Sequence, residues 1–169
     1  MKKIPMVLLA GLVVLLLITT APHARAQGDA ELAKAMRGVK VSLERGLAAS
    51  AREGKPLSAK FEVEHGAVQL SVYTAKGDTF SEVIVDHTTG KEAKVDAITG
   101  GDDLAAAKAQ SAVMAKAKRS LVAATAEAVK ANKGFRAVSV MPALKDGHPV
   151  ADVTLVRGTA WKTVSEKLD

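Results

Sequence analysis

The amino-acid sequence predicts an α+β fold in which two helix-plus-antiparallel-sheet units follow an N-terminal signal peptide. Twice along the chain, apolar residues at helical spacing precede short stretches in which apolar and polar residues alternate. The first pattern indicates an amphipathic helix and the second indicates half-buried strands. Glycine-containing turns between the strands indicate hairpins. We therefore expect a signal peptide at residues 1–26, unit 1 at residues 29–99 and unit 2 at residues 102–169.

The first 26 residues have the composition of a secretory signal peptide. Lys2 and Lys3 form a basic start, Met6–Ile18 is almost entirely apolar, and Ala24-Arg25-Ala26 is a small-x-small cleavage site. The apolar run is shorter than the roughly 20 residues of a spanning helix. We expect cleavage after Ala26, no membrane span afterwards, and a periplasmic or secreted protein; the alternative is an uncleaved anchor.

Charge and cysteine content exclude several classes of protein. The whole chain has 24 Lys and Arg against 18 Asp and Glu, and the part after the signal peptide keeps a small positive excess. These charges are interspersed, which is typical of a solvated surface and argues against nucleic-acid binding. Cysteine is absent, so no disulfide is possible. The chain from Gln27 to Asp169 must therefore be stabilised by an apolar core.

The first helix is predicted from apolar residues that recur every three or four positions. These residues are Leu32, Met36, Val39, Leu43 and Leu47. They place one apolar stripe along a single helix over residues 29–53. Gly54-Lys55-Pro56 ends it, because glycine suits the C-terminal cap and proline cannot continue a helix.

Four strands are predicted next, over residues 57–64, 68–73, 80–85 and 91–98. The last turn is the most specific, because Asp86 can accept hydrogen bonds from the amides that follow it and Gly90 can adopt a positive φ. Alternation along the strands predicts one buried and one wet face, and the preceding helix is the expected cover.

The second half repeats this order. An alanine-rich stretch predicts a helix over residues 104–131, and three strands are predicted over residues 135–141, 150–156 and 161–164. One constant offset aligns Ser42 with Ser120 and Ala59 with Ala137, and a slightly longer offset aligns Val72 with Val153 in the later strands. We interpret this as an internal repeat with three extra residues in the loop after the first strand of unit 2.

Unit 1 resembles the PepSY domain, a module of peptidase propeptides and exported bacterial proteins. The resemblance depends on the Gly54-Lys55-Pro56 break, the strand ending in Val72-Tyr73 and the hairpin Val83–Lys91. Its motif residues are Tyr73, Asp86, Thr89 and Gly90. Unit 2 is similar only in outline, because it lacks the Asp-x-x-Thr-Gly turn. The resemblance implies a protein-binding or protease-inhibiting module.

A hard metal ion is an alternative ligand, because five carboxylates lie at turns or on one hairpin. The candidates are Asp78, Glu82, Asp86, Glu92 and Asp96. Calcium or a lanthanide prefers such oxygen donors. The spaced acidic loop of an EF-hand is missing, however, and Asp86 has a structural role available in its own turn.

Other conspicuous side chains have a simpler interpretation as turn or packing residues. The histidines His65, His87 and His148 lie at predicted turns without ligand spacing. Met36 and Met114 fall on apolar helix faces and Met141 lies in a strand, and core packing is the prediction for all three. Tyr73 and Trp161 are expected to be packing or edge residues.

These observations predict a non-enzymatic protein without a cofactor. The sequence has no Gly-x-Ser-x-Gly elbow, no His-Glu-x-x-His helix, no phosphate loop and no cysteine nucleophile. We expect it to bind a protein or peptide partner in the cell envelope, through exposed sheet edges such as the last strand. The alternative is the hard metal ion, and a third hypothesis is inhibition of an exported peptidase.

Overall fold

Seven strands form one antiparallel sheet in residues 22–169, the part of the chain that the computed structural model describes. The strands are β1 Lys55–Glu64, β2 Ala67–Lys76, β3 Thr79–Val85, β4 Glu92–Ile98, β5 Arg136–Lys145, β6 His148–Arg157 and β7 Ala160–Lys167. Four helices accompany them within this range: α1 Pro22–Ala35, α2 Leu43–Ala49, α3 Gly101–Ala115 and α4 Leu121–Ala131. The predicted α+β class is confirmed. Residues 1–21, and with them most of the predicted signal peptide, lie outside the described residues.

The two halves of the chain meet at the centre of this sheet. The strand order is β4-β3-β2-β1-β5-β6-β7, so β1 and β5 are the neighbours that join residues 55–98 to residues 136–167. Only two residue pairs form the junction, Ala59 with Val140 and Lys60 with Ser139. Every other pairing is between strands consecutive in sequence. β4 and β7 are therefore the two edges.

The predicted helix over residues 29–53 is broken, and the prediction of one continuous helix is wrong. After α1 the chain forms a 3₁₀ turn at Met36–Gly38, runs extended, and starts α2 at Leu43. The break is fixed by tertiary hydrogen bonds, since the backbone N–H groups of Lys40 and Val41 both donate to the carbonyl of His87 at 3.0 Å. Ser42 then caps α2 by accepting from the N–H of Arg45.

The predicted helix over residues 104–131 is broken in the same manner. α3 ends at Ala115, and the N–H groups of Lys118 and Arg119 donate to the carbonyl of Leu168 at 2.6 and 2.9 Å. Ser120 caps α4 by accepting from the N–H of Ala123 at 3.1 Å. In both halves, amides that a continuous helix would keep for itself bind one carbonyl of a distant segment instead.

Helices cover both faces of the sheet at its centre. α2 packs against α4, and Gly46 of α2 lies so close to buried Leu70 that a Cβ there would come within 2.5 Å of the leucine side chain. On the opposite face, Ser58 Oγ donates to Gln110 of α3 at 2.7 Å, and Lys55 Nζ donates to the carbonyl of Met114 at 2.7 Å. The predicted wet second face is therefore wrong for the centre of the sheet, where Ser58 is fully buried.

The first two strands of each half of the chain begin at one constant offset. β1 and β5 begin at Lys55 and Arg136, and β2 and β6 begin at Ala67 and His148. The shorter of the two predicted offsets is observed between the caps Ser42 and Ser120, but it is wrong for the first strand. The three extra residues come before β5: α4 is one residue longer than α2 and its 3₁₀ turn together, and the loop before β5 is two residues longer than the loop before β1.

Removing either serine cap should destabilise the protein. We expect Ser42→Ala and Ser120→Ala each to lower the free energy of unfolding by about 1 kcal/mol, because each leaves a helix N–H without its acceptor. Chemical denaturation measures this. Ser111→Ala, inside α3, is the matched control and should be close to neutral. If the cap variants unfold at the same denaturant concentration as the control, the hydrogen bonds do not stabilise the helix starts.

Candidate functional site

The Asp86 turn is held by its own side chain. Asp86 Oδ1 accepts from the N–H of Thr88 at 3.0 Å, the N–H of Thr89 at 2.6 Å and the Thr89 hydroxyl at 2.9 Å. The Thr89 bonds are the main reason that the pKa of the Asp86 carboxyl is below its usual value. Gly90 has a φ of 74°, and a Cβ there would lie 2.6 Å from Arg45 Nε. Three residues of the sequence motif thus specify a backbone shape.

This turn positions the break between α1 and α2. Its residue His87 supplies the carbonyl that binds Lys40 and Val41. The His87 ring is half-buried, and its Nδ1 atom has no hydrogen-bond partner among the described residues. The turn therefore couples the β3–β4 hairpin to the helices.

Tyr73, the remaining motif residue, lies in a cleft of about 150 Å³ between the sheet and α3. Asp103 and Gln110 of α3 and Lys60 of β1 contribute to its walls. Lys60 Nζ is 6.0 Å from the centre of the tyrosine ring. Burial, with help from nearby Glu82, raises the pKa of Tyr73, so this phenol loses its proton less readily than a solvated tyrosine does.

The predicted metal ligands are spread over several places. Glu82 and Asp96 are register partners on β3 and β4, but Lys94 Nζ lies 2.7 Å from Asp96. Glu92 forms an ion pair with Arg52. Asp86 is engaged in its turn, and Asp78 is exposed between β2 and β3. Among residues 28–169, whose side chains the structure describes, no three side chains of the His, Cys, Asp and Glu types are grouped as a metal ion would require. Calcium or lanthanide binding stays a prediction, for which calorimetric titration is the measurement.

Histidines and methionines mostly occupy the predicted kinds of position. His65 is exposed in the β1–β2 turn, and His148 Nδ1 lies 2.6 Å from Asp169 Oδ2, which lowers the pKa of that carboxyl. Met36 and Met114 are buried, as predicted. Met141 is 37% exposed, so core packing was the wrong prediction for it. It lines the Tyr73 cleft instead.

The edge strand β7 exposes a row of backbone hydrogen-bonding groups. The two-residue turn Gly158-Thr159 makes Arg157 and Ala160 a hydrogen-bonded pair, and such pairs alternate with non-bonded ones along an antiparallel ladder. The N–H and C=O groups of Trp161, Thr163 and Ser165 therefore point away from β6. The same alternation, counted from the β2–β3 turn, makes Val83 and Val95 a non-bonded pair between β3 and β4. The backbone N–H and C=O groups of Val95 therefore point outward from β4, and this residue is 43% exposed.

Sequence reasoning missed one charged cluster. Arg37, Arg136 and Arg157 line a single cleft although they are far apart in the chain. No local pattern in the sequence could have indicated this, because the three residues belong to different elements.

No family model, curated protein or solved structure matches this chain. Within the described range, none of the helices has the length and hydropathy needed to cross a membrane.

Asp86 should stabilise the protein in its ionised form. A carboxyl with a lowered pKa in the folded state contributes stability above its unfolded pKa of about 3.9, and loses this contribution as the pH falls through the folded value. We expect Asp86→Ala to lower the midpoint of urea unfolding at pH 7, and the difference from the parent to shrink below pH 4. Asp78→Ala is the control at an exposed turn. A constant difference between pH 7 and pH 3 would contradict this role.

Proposed function

We propose that this protein is an exported, non-catalytic module made of two PepSY-like units, and that it binds an extended segment of an envelope protein or peptide along β7. The observation that carries the proposal is the unpaired edge of β7, whose outward backbone groups can form a further antiparallel ladder.

Matched hydrogen bonds in the two halves support the two-unit proposal. Lys40 and Val41 correspond to Lys118 and Arg119 at the same offset that relates the cap Ser42 to the cap Ser120. The acceptors His87 and Leu168 are related by the longer offset, the one that separates the start of β1 from the start of β5. The donors therefore share the offset of the helix caps, and the acceptors share the offset of the strand starts.

A reciprocal contact supports it further. Lys55, the first residue of β1, donates to the carbonyl of Met114, while Arg136, the first residue of β5, donates to the carbonyl of Met36 at 2.9 Å. Met36 and Met114 are both buried, and they correspond to each other at the offset of the two serine caps. Each strand start therefore binds a carbonyl of the other half, in the last turn of α3 or in the 3₁₀ turn directly after α1, as expected for units related by an approximate two-fold axis.

The side chains of β7 indicate the chemistry of a suitable partner segment. One face of β7 carries every second side chain: Lys162, Val164 and Glu166. Half-buried Trp161 lies on the other face. A partner strand beside β7 would be favoured if it had an acidic residue next to Lys162 and an apolar residue next to Val164. Lysines on an edge discourage indiscriminate pairing, so we expect a selective partner.

Export predicts a defined N-terminus. The mature protein should begin at Gln27, since the predicted cleavage follows Ala26. Intact-mass measurement of the protein purified from the envelope fraction checks this. A protein that keeps Met1 and remains in the membrane fraction would support the uncleaved anchor instead.

Blocking the β7 edge should abolish partner capture. Thr163→Pro removes an outward N–H without removing a bond to β6, so the fold should survive while an added strand loses a hydrogen bond. We expect the immobilised variant to capture at least tenfold less of the proteins that the parent captures from envelope extract. Quantitative mass spectrometry measures the captured amounts.

Two variants make this experiment specific. Thr163→Val keeps the N–H and should capture as the parent does, and Val95→Pro blocks the other edge and should leave β7 capture unchanged. Circular dichroism verifies folding of all three. Equal capture by Thr163→Pro and the parent would overturn binding at β7.

A further inference from the structure

We propose that Arg37, Arg136 and Arg157 form a binding site for a phosphate-bearing anion; the observations for this site are separate from those for the proposed partner at β7. Arg37 lies in the 3₁₀ turn after α1, Arg136 begins β5, and Arg157 ends β6. All three line one cleft of about 150 Å³, together with Ala33, Met36, Gly134, Val156 and Gly158. None of these described lining residues is acidic.

The positive charge of this cluster is not neutralised by any carboxylate among residues 28–169. Arg136 donates instead to two backbone carbonyls, from Nη1 to Met36 at 2.9 Å and from Nη2 to Val41 at 3.4 Å. Arg157 lies over the ring of Phe135, with its guanidinium carbon 4.6 Å from the ring centre. Carbonyls and an aromatic face orient a guanidinium but leave its net charge, so three like charges face one cleft.

Two of the guanidinium groups are held in place before any ligand arrives. The carbonyls fix Arg136, and Phe135 supports Arg157, so less side-chain entropy is lost when an anion binds. Gly134 contributes by lacking a side chain, since a Cβ there would come within 3.2 Å of Arg157 Cδ. The planar fork of arginine matches two oxygens of a phosphate group. The size of the cleft suits one or two phosphate groups rather than a long polyanion.

The opposite end of the sheet offers an internal comparison. There Lys55 begins β1 and binds the carbonyl of Met114, Lys76 ends β2, and Ala115 follows Met114. The corresponding positions thus hold two lysines and an alanine in place of three arginines. A lysine ammonium is a point charge without a bidentate fork. We therefore assign phosphate binding to the arginine cleft and use the lysine end as the control.

The test is calorimetric titration of the full chain with inorganic phosphate and with pyrophosphate, at low salt in a phosphate-free buffer. We expect one pyrophosphate to bind per chain. Arg157→Gln should weaken this binding at least tenfold, and the double variant with Arg37→Gln and Arg157→Gln should weaken it further. Both side chains are exposed, so the variants should fold, which circular dichroism verifies. Lys76→Gln, with the same loss of charge at the opposite end, should bind as the parent does.

Vesicles distinguish a lipid headgroup from a free phosphate compound as the source of the anion. A lipid is indicated if the protein sediments with phosphatidic-acid vesicles but not with phosphatidylcholine vesicles, and if Arg157→Gln no longer sediments with the former. Pyrophosphate binding without vesicle binding would indicate a soluble ligand. The proposal is overturned if millimolar pyrophosphate gives no heat, or if Lys76→Gln weakens binding as much as Arg157→Gln does.

Discussion

The structure depends on a short contact between β1 and β5. Two residue pairs join these strands, so few backbone hydrogen bonds link the halves of the sheet. The junction is instead enclosed, with Ala59 and Val140 fully buried at its centre. α2 and α4 pack together over one face, and α3 contacts β1 and β5 from the other. Burial of apolar surface on both sides, rather than the ladder itself, therefore keeps the seven strands in one sheet.

Local chemistry explains why the hairpins could be predicted. His65-Gly66, Gly77-Asp78 and the segment from Asp86 to Gly90 contain the residues that their turns need, and the structure has a turn at each place. His65 itself adopts a positive φ of 50° next to Gly66. A turn of this length is determined by residues in contact with one another, so its sequence suffices to predict it.

The helix breaks could not be predicted in the same way. Met36, Val39 and Leu43 keep helical spacing across the first break, and Lys116 to Arg119 have good helix propensity across the second. Each break is fixed by a carbonyl from a remote segment, that of His87 or that of Leu168. A local sequence pattern contains no information about such a contact. The serines at positions 42 and 120 were the available local signal. Serine is a favoured N-cap and only a moderate helix former, so two serines at the same place in each half indicate a new helix start.

The candidate sites show the same division between local and tertiary information. Asp86, Thr89 and Gly90 could be selected from the sequence because they serve one turn. The arginine cleft could not, because it needs three separate elements. The register of the β5–β6 hairpin pairs Arg136 with Val156 and so brings it close to Arg157, but only the tertiary fold brings Arg37 to the same cleft from the turn after α1.

The arginine cleft and the β7 edge share one hairpin, so they are physically connected. Arg157 and Ala160 close the β6–β7 turn, and the next register pair joins Val156, which lines the cleft, to Trp161, the first outward-facing residue of the edge. An anion bound to Arg157 would also restrict the motion of this turn. A strand added at Trp161 would restrict the same residues from the other side. Because each ligand then loses less entropy when the other is already bound, the two proposed sites should favour each other, and by linkage the effect must be reciprocal.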